Sequence, residues 1–443
     1  MQGLLILAAV ACSAAAAAVA ADTTTFALDA VPGSSTSTTN LVTTLAQVYH
    51  KYNVTPPASL SAALRAREEE EEEEEDLQDR HRRRGRRRRP EQLGGWQSGS
   101  AAASPSAFTD NQYVVEVDIG TPPQRFRLNP DTGSGDVWVY GSAMPASSLL
   151  GQARYDPARS ATARLLPLAV WLAGYIDFSF VGGLVYRDTV TVVTTDGAGA
   201  GGGEAAGAGG LTVQDQGVQV AMLVSRSIVE DAGMDGILGL GFDKLNFALP
   251  TKQKTWFSNI KARLSESVFT VDFQYRKQGK FTFGYIDKTI GPITYTPVDA
   301  SAGYWTWTSP GYAVGKEPFK RRALKGTLDT GTTIIIVPSD VVDDYYARVP
   351  GARYSASEHG HVFDCGAALP DFTFGVEAHA TITVPGRYIN ASTADSVPGK
   401  CVGALQSGAG DMVVFGAPAL QAGVAVFDEA RLRIGWANKT LVA

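Results

Sequence analysis

From Tyr113 the chain alternates apolar and polar side chains, Tyr113-Val114-Val115-Glu116-Val117-Asp118-Ile119, and the run stops at Gly120-Thr121-Pro122-Pro123. A period of two closed by turn residues predicts a β-strand. The same signature recurs to the end of the chain, at Thr189–Val193, Phe269–Phe273, Lys280–Phe283, Ile293–Thr296, Ile334–Val337, Ala380–Val384 and Met412–Phe415. Helical periodicity is confined to Thr255–Leu264 and Ser339–Arg348. The expected class is therefore all-β. Residues 22 to about 100 lack this patterning. They carry an unbroken acidic run, Glu68–Glu75, and a basic one, Arg82–Arg84 with Arg86–Arg89. Such blocks repel themselves and read as solvated, disordered chain. The segment Leu4–Ala21 is almost wholly Leu, Ile, Val and Ala and ends in small residues, the pattern of a cleaved export signal.

Composition narrows the classes. The 443 residues exceed one ordinary compact domain. The net charge of −6 and a pI near 5.5 disfavour nucleic acid as a partner. No stretch after the leader could span a bilayer, so no membrane association is expected once the signal is removed. Of three cysteines, Cys12 leaves with the leader. Cys365 and Cys401 then form an even pair in an oxidising compartment, and a disulfide between them is expected. Asp196–Gly210 contains a GxGxxG match from Gly197 to Gly202. No helix follows it, and the segment is so glycine-rich that a flexible surface loop is the expectation. His359-x-His361 stands alone without an HExxH, so neither a metal nor another cofactor is expected. There is no GxSxG elbow, and no free cysteine remains to serve a Cys–His site.

Two tripeptides carry candidate chemistry: Asp131-Thr132-Gly133 and Asp329-Thr330-Gly331. Each follows a β pattern and precedes a hydroxyl residue, Ser134 or Thr332. Each is followed by two apolar residues and a glycine: Ile237-Leu238-Gly239 after the first, Val414-Phe415-Gly416 after the second. The chain thus reads as two diverged copies of one unit, each supplying one carboxylate. Two carboxyls held together cannot both ionise easily. They share a proton, and the pair offers a base to activate water and an acid to protonate a leaving group. Aspartic proteases are the standard illustration of that arrangement. Glycine after each Asp-Thr lets the loops approach. The threonine hydroxyls can bond the opposite loop's backbone, and Ser134 and Thr332 can donate to the outer carboxylate oxygens.

At these residues the chain resembles the pepsin-like aspartic peptidases, most closely the secreted fungal enzymes of the endothiapepsin and penicillopepsin type. The likeness runs from about Asn111 to Ala437. It is carried by Ile119–Gln124, Asp131–Val139, Asp235–Phe242, Ile293–Asp299, Leu328–Thr333, Ile382–Asn390 and Gly435-Trp436. The resemblance implies a bilobal fold with the cleft between lobes. It divides the chain into a signal peptide (1–21), a charged propeptide (22–100), an N-terminal lobe (105–290) and a C-terminal lobe (291–443). It implies a zymogen, acting as a secreted monomer or routed to the vacuole, that cuts protein or peptide substrates. Asp131 and Asp329 would be catalytic, preferring bulky apolar residues beside the cut at acid pH. It also implies a hairpin flap carrying Tyr175 near Trp138, with Asp177 at its tip to meet a substrate lysine. Asn390 and Asn438 begin glycosylation sequons, while Asn53 falls in the propeptide. Four residues depart from the family pattern: Pro130 before the first aspartate, Ile176 and Phe178 beside Asp177, and Ala417 after the second apolar-apolar-glycine. They support a rival reading, a catalytically weak homologue that binds peptides or a partner protein in its cleft.

Overall fold

The structure, a computed structural model, describes Lys51 and residues 97–105, 112–174, 180–195, 209–230, 232–394 and 396–441. The architecture is all-β and bilobal, with helices short and few. In the first half, six strands close on themselves: Tyr113–Ile119, Gln124–Asp131, Gly236–Gly239, Val137–Tyr140, Gly210–Val224 and Phe180–Val193. Closure comes from Val117, Asp118 and Ile119 pairing with Val192, Thr191 and Val190. The alternation that marked Tyr113–Ile119 places Val115 and Val117 inward and Glu116 in water, as a half-buried strand requires.

The second half has a seven-stranded sheet centred on Thr306–Val314 and Lys320–Leu328, and a four-stranded sheet of Arg353–Ser355, Gly360–Asp364, Lys400–Gly403 and Asn390–Thr393. Cys365–Cys401 is disulfide-bonded beside the smaller sheet. The closed loop, 36 residues in sequence separation, contributes about 4 kcal/mol in the chain-entropy picture.

Beneath both halves runs a shared layer in the order Thr294–Pro297, Arg433–Asn438, Gly423–Asp428, Val268–Gln274, Lys277–Phe283 and Gly99–Pro105. Phe269 stacks on Phe427 at 4.5 Å and meets Trp305 edge-on. A fully buried Phe of this kind is worth roughly 1.5–3 kcal/mol. The Trp305 indole donates to the Leu240 carbonyl at 3.0 Å, tying the second half to the first just behind the cleft. Gly99–Pro105 is built into this layer: Gly99 to Ala103 pair with Phe283 to Gly279, and Gln97 donates to the Arg263 carbonyl. The folded body thus starts upstream of residue 105, the boundary expected from sequence.

The two expected helices shorten to Trp256–Ile260 (with a 3-10 turn at Lys261–Arg263) and Ser339–Tyr346. The strand expected at Met412–Phe415 contracts to Val414–Phe415. The glycine-rich segment 196–210 lies outside the described residues up to 208, and Gly210 opens the strand Gly210–Val224. No helix among the described residues is long and apolar enough to cross a membrane. The leader, Glu68–Glu75 and Arg82–Arg89 lie outside the described residues.

Candidate active site

Each Asp-Thr-Gly loop leaves the C-terminal end of a strand, and its apolar-apolar-glycine partner holds it there. Gln124–Asp131 runs parallel to Gly236–Gly239, which pairs antiparallel with Val137–Tyr140. In the other half, Lys320–Leu328 runs parallel to Val414–Phe415, which pairs antiparallel with Ile335–Val337. The duplication seen in the sequence is thus a duplication of strand order. The glycines have a steric reason. A Cβ on Gly239 would lie 2.6 Å from the Asp136 nitrogen, and one on Gly416 would strike the Thr332 and Ile334 carbonyls.

The loops meet head to head. Thr132 Oγ1 donates to the Leu328 carbonyl at 2.9 Å and accepts from Thr330 N–H at 3.0 Å. Reciprocally, Thr330 Oγ1 donates to the Pro130 carbonyl at 2.5 Å and accepts from Thr132 N–H at 2.9 Å. Gly133 N–H donates to Asp131 Oδ1 at 2.9 Å, and Gly331 N–H to Asp329 Oδ1 at 3.0 Å. Each glycine also makes room for the opposite carboxyl. A Cβ on Gly133 would come within 2.9 Å of Asp329 Cγ, and one on Gly331 within 2.6 Å of Asp131 Cγ. Asp131 and Asp329 are both buried.

The halves differ at the residue after the glycine. Thr332 Oγ1 donates to Asp329 Oδ2, whereas the Ser134 hydroxyl has no partner among the described residues. The expectation that both hydroxyls reach the outer carboxylate oxygens is corrected for Ser134. A β-branched threonine has few rotamers, while an unbranched serine hydroxyl can turn away. Pro130 keeps its strand place opposite Leu238 and gives its carbonyl to Thr330. Asn129 Nδ2 beside it bonds the Tyr113 carbonyl at 2.8 Å. Ala417 donates its N–H to the Thr332 carbonyl at 2.8 Å and opens the buried helix Ala417–Ala422.

The family model described as eukaryotic aspartyl protease matches residues 112–439. Endothiapepsin of Cryphonectria parasitica is 45% identical over 346 residues, 77% of this chain and 78% of the relative. Podosporapepsin of Podospora anserina is 41% identical over 78% of each chain. Penicillopepsin-3 of Penicillium janthinellum is 36% identical over 77% of this chain and 81% of its own.

The chain belongs to the eukaryotic aspartyl protease family. Within this aspartyl protease, the space between the two carboxyls is taken by a residue that sequence reading missed. Lys51 Nζ lies 2.5 Å from Asp131 Oδ1 and 2.7 Å from Asp329 Oδ2. The Tyr304 hydroxyl donates to the Lys51 carbonyl. The signal was available, since Lys51 is the only lysine before Lys244.

Burial pushes the Asp131 carboxyl up; Lys51 opposes this, and Asp329 adds to it. Burial acts the same way on Asp329, but Lys51 and hydrogen bonds from Asp131, Lys51 and Thr332 outweigh it and hold Asp329 below its ordinary value. On Lys51, burial pulls down, and the two carboxylates more than reverse it. One protonated carboxyl, one carboxylate and one ammonium make the buried trio neutral, the state a low-dielectric site favours.

Trp138 sits in a buried cluster with Tyr140, Trp171 and Met144; its ring is 6.1 Å from that of Trp171. Tyr175 and Asp177, with Ile176 and Phe178, lie outside the described residues. Asn438 is exposed, while Asn390 is half-buried with its amide donated to the Cys365 carbonyl at 3.3 Å. His361 stacks on Tyr346 at 4.4 Å, the packing of a core ring.

Proposed function

We propose that this chain is the precursor of a secreted endopeptidase that cuts between bulky apolar residues at acid pH, with Asp131 and Asp329 as its catalytic pair. The observation that carries this is the convergence of both buried carboxyls on one small group, the Lys51 ammonium. In the processed enzyme a water takes that place, within reach of both. One carboxyl of the pair is ionised and accepts a proton from the water as its oxygen attacks the peptide carbonyl carbon. The other is protonated and donates to the carbonyl oxygen. Collapse of the tetrahedral intermediate returns a proton to the amide nitrogen, and the C–N bond breaks. The pair holds one proton jointly and titrates as a unit. The threonine cross-bonds fix the carboxyls in advance, so little reorganisation is needed during reaction.

The expected result is hydrolysis of a denatured protein at acid pH, abolished by a statine-type inhibitor. Hydrolysis that survives the inhibitor overturns the reading.

The leader supports secretion, and Lys51 supports a zymogen. The strand Gly99–Pro105 adds a limit to where processing can fall. Cutting within it would strip a paired strand from the shared layer and leave Lys277–Phe283 with unpaired backbone. N-terminal sequencing of the active form is therefore expected to begin after Arg84 and no later than Gln97, near the basic run. A start beyond Gly99, or one that retains Glu68–Glu75, contradicts this. We place glycosylation at Asn438, whose side chain is exposed, ahead of Asn390.

A further inference from the structure

Two residues beyond Ser134, on the loop that carries Asp131, Asp136 is buried with 4% of its surface exposed. Its Oδ1 accepts from Phe247 N–H at 2.9 Å and from Gln219 Nε2. Gln219, on the strand Gly210–Val224, is wholly buried beside Trp138. Its other amide atom, Oε1, has no donor among the described residues. A buried acceptor without a donor is costly, because its hydration is lost and nothing replaces it. The charged groups that face Asp136 are Lys252, in the segment after Asn246, and Asp131 on its own loop. The Lys252 ammonium is engaged by the Asn246 carbonyl at 2.5 Å. The direct partners of Asp136 are thus neutral donors, and its immediate neighbour is an acceptor lacking a proton.

One proton resolves both problems. We propose that Asp136 is a positioning residue that works as a neutral acid: its Oδ2–H donates to Gln219 Oε1 while Gln219 Nε2 donates to Oδ1. This closed acid–amide pair pins the loop bearing Asp131 to the strand Gly210–Val224 and, through Phe247, to the segment 246–253. The pinned surfaces are tightly apposed. Asn246 Nδ2 donates to the Gly135 carbonyl at 3.1 Å, and a Cβ on Gly135 would lie 2.8 Å from the Asn246 nitrogen.

Burial is the largest influence on the carboxyl and, against the Phe247, Lys252 and Gln219 contributions, pushes it up to about 7. Between the ordinary carboxyl range and about 7, the folded protein keeps a proton that the unfolded chain has lost. The stabilisation is therefore complete in acid and is lost as pH rises through that window. The pair assembles the catalytic loop under the conditions in which the peptidase works and loosens it near neutrality.

The importance of the loop rests on the peptidase reading, so the test uses unfolding rather than catalysis. Asp136→Asn keeps an acceptor for Phe247 and offers an N–H to Gln219 at every pH. Urea unfolding, followed by tryptophan fluorescence from pH 4 to 8, is compared with and without it in the Asp131→Asn background. That background removes self-digestion and the Asp131 carboxyl, and leaves Asp329 to titrate alike in both proteins. The parent is expected to lose stability between pH 5 and 7.5. Asp136→Asn should move the midpoint of that loss upward by at least about one pH unit, or remove it. An unchanged pH profile overturns the proposal. Should Asp136→Asn fail to fold, infrared difference spectra of the Asp131→Asn parent from pH 4 to 8 are expected to show a protonated-carboxyl band that is lost only as pH approaches about 7. Loss of every protonated-carboxyl band by about pH 5 overturns the proposal as well.

Discussion

Asp131→Asn and Asp329→Asn are each expected to lower kcat/KM by about three orders of magnitude or more while leaving the fold intact. General acid–base participation alone is worth roughly 10²–10⁴-fold, and the joint proton makes each carboxyl necessary to the other's function. An asparagine can neither take the water's proton nor supply one to the leaving nitrogen. It does keep an oxygen for the Gly133 or Gly331 N–H, so the local bonds survive. The measurement is steady-state hydrolysis of an apolar peptide by the purified variant, its propeptide removed by an added protease that cuts in the basic run, alongside its thermal midpoint. Activity above a few per cent of wild type in either variant contradicts the paired mechanism.

Precursor carrying Lys51→Met is expected to process itself at least tenfold faster than wild type near pH 6. Taking one partner from a buried ion pair typically costs about 3–5 kcal/mol, and here it would leave Lys51's segment of the propeptide with the Tyr304 bond to its backbone but without the ion pair. The wild-type precursor should stay closed at that pH and open in acid. The direction follows from the carboxyls. Asp329 lies below its ordinary value in the folded precursor, so its pairing with Lys51 is present at neutral pH and lost as pH falls through that lowered value. Asp131, raised, is already protonated before that point. In acid the lysine is left buried without a counter-charge, and the propeptide leaves. Lys51 itself is raised, so it stays charged throughout this range. Gel-resolved conversion of both precursors from pH 3 to 7 measures this. Equal rates at pH 6 would show that Lys51 does not restrain the enzyme.

Much of the site was legible because its elements are local in sequence. Asp-Thr-Gly needs a small residue where two loops touch, and Gly133 and Gly331 each face the opposite carboxyl at contact distance. The apolar-apolar-glycine words were legible as a repeat, although only the strand order explains them: each threads beside the strand that ends in an aspartate. Ser134 misled, since a hydroxyl next to the glycine is a chemical possibility whose rotamer depends on surroundings. The departures at Pro130 and Ala417 looked disruptive when read singly. In the fold both retain backbone bonds to the loop across from or beside them.

What the sequence determined by itself is what a short window can encode. Period-two alternation sets the strands, because successive side chains point to opposite faces. Turn residues set where they end, and two similar words set the pairing of halves. What only the tertiary structure decided are encounters between residues far apart in the chain. Lys51 reaches Asp329 across 278 residues, and Gln219 reaches Asp136 across 83. No local pattern marks either encounter, since its energy arises from burial: an ammonium or a carboxyl is ordinary in water and becomes selective about partners only when the fold removes the solvent around it.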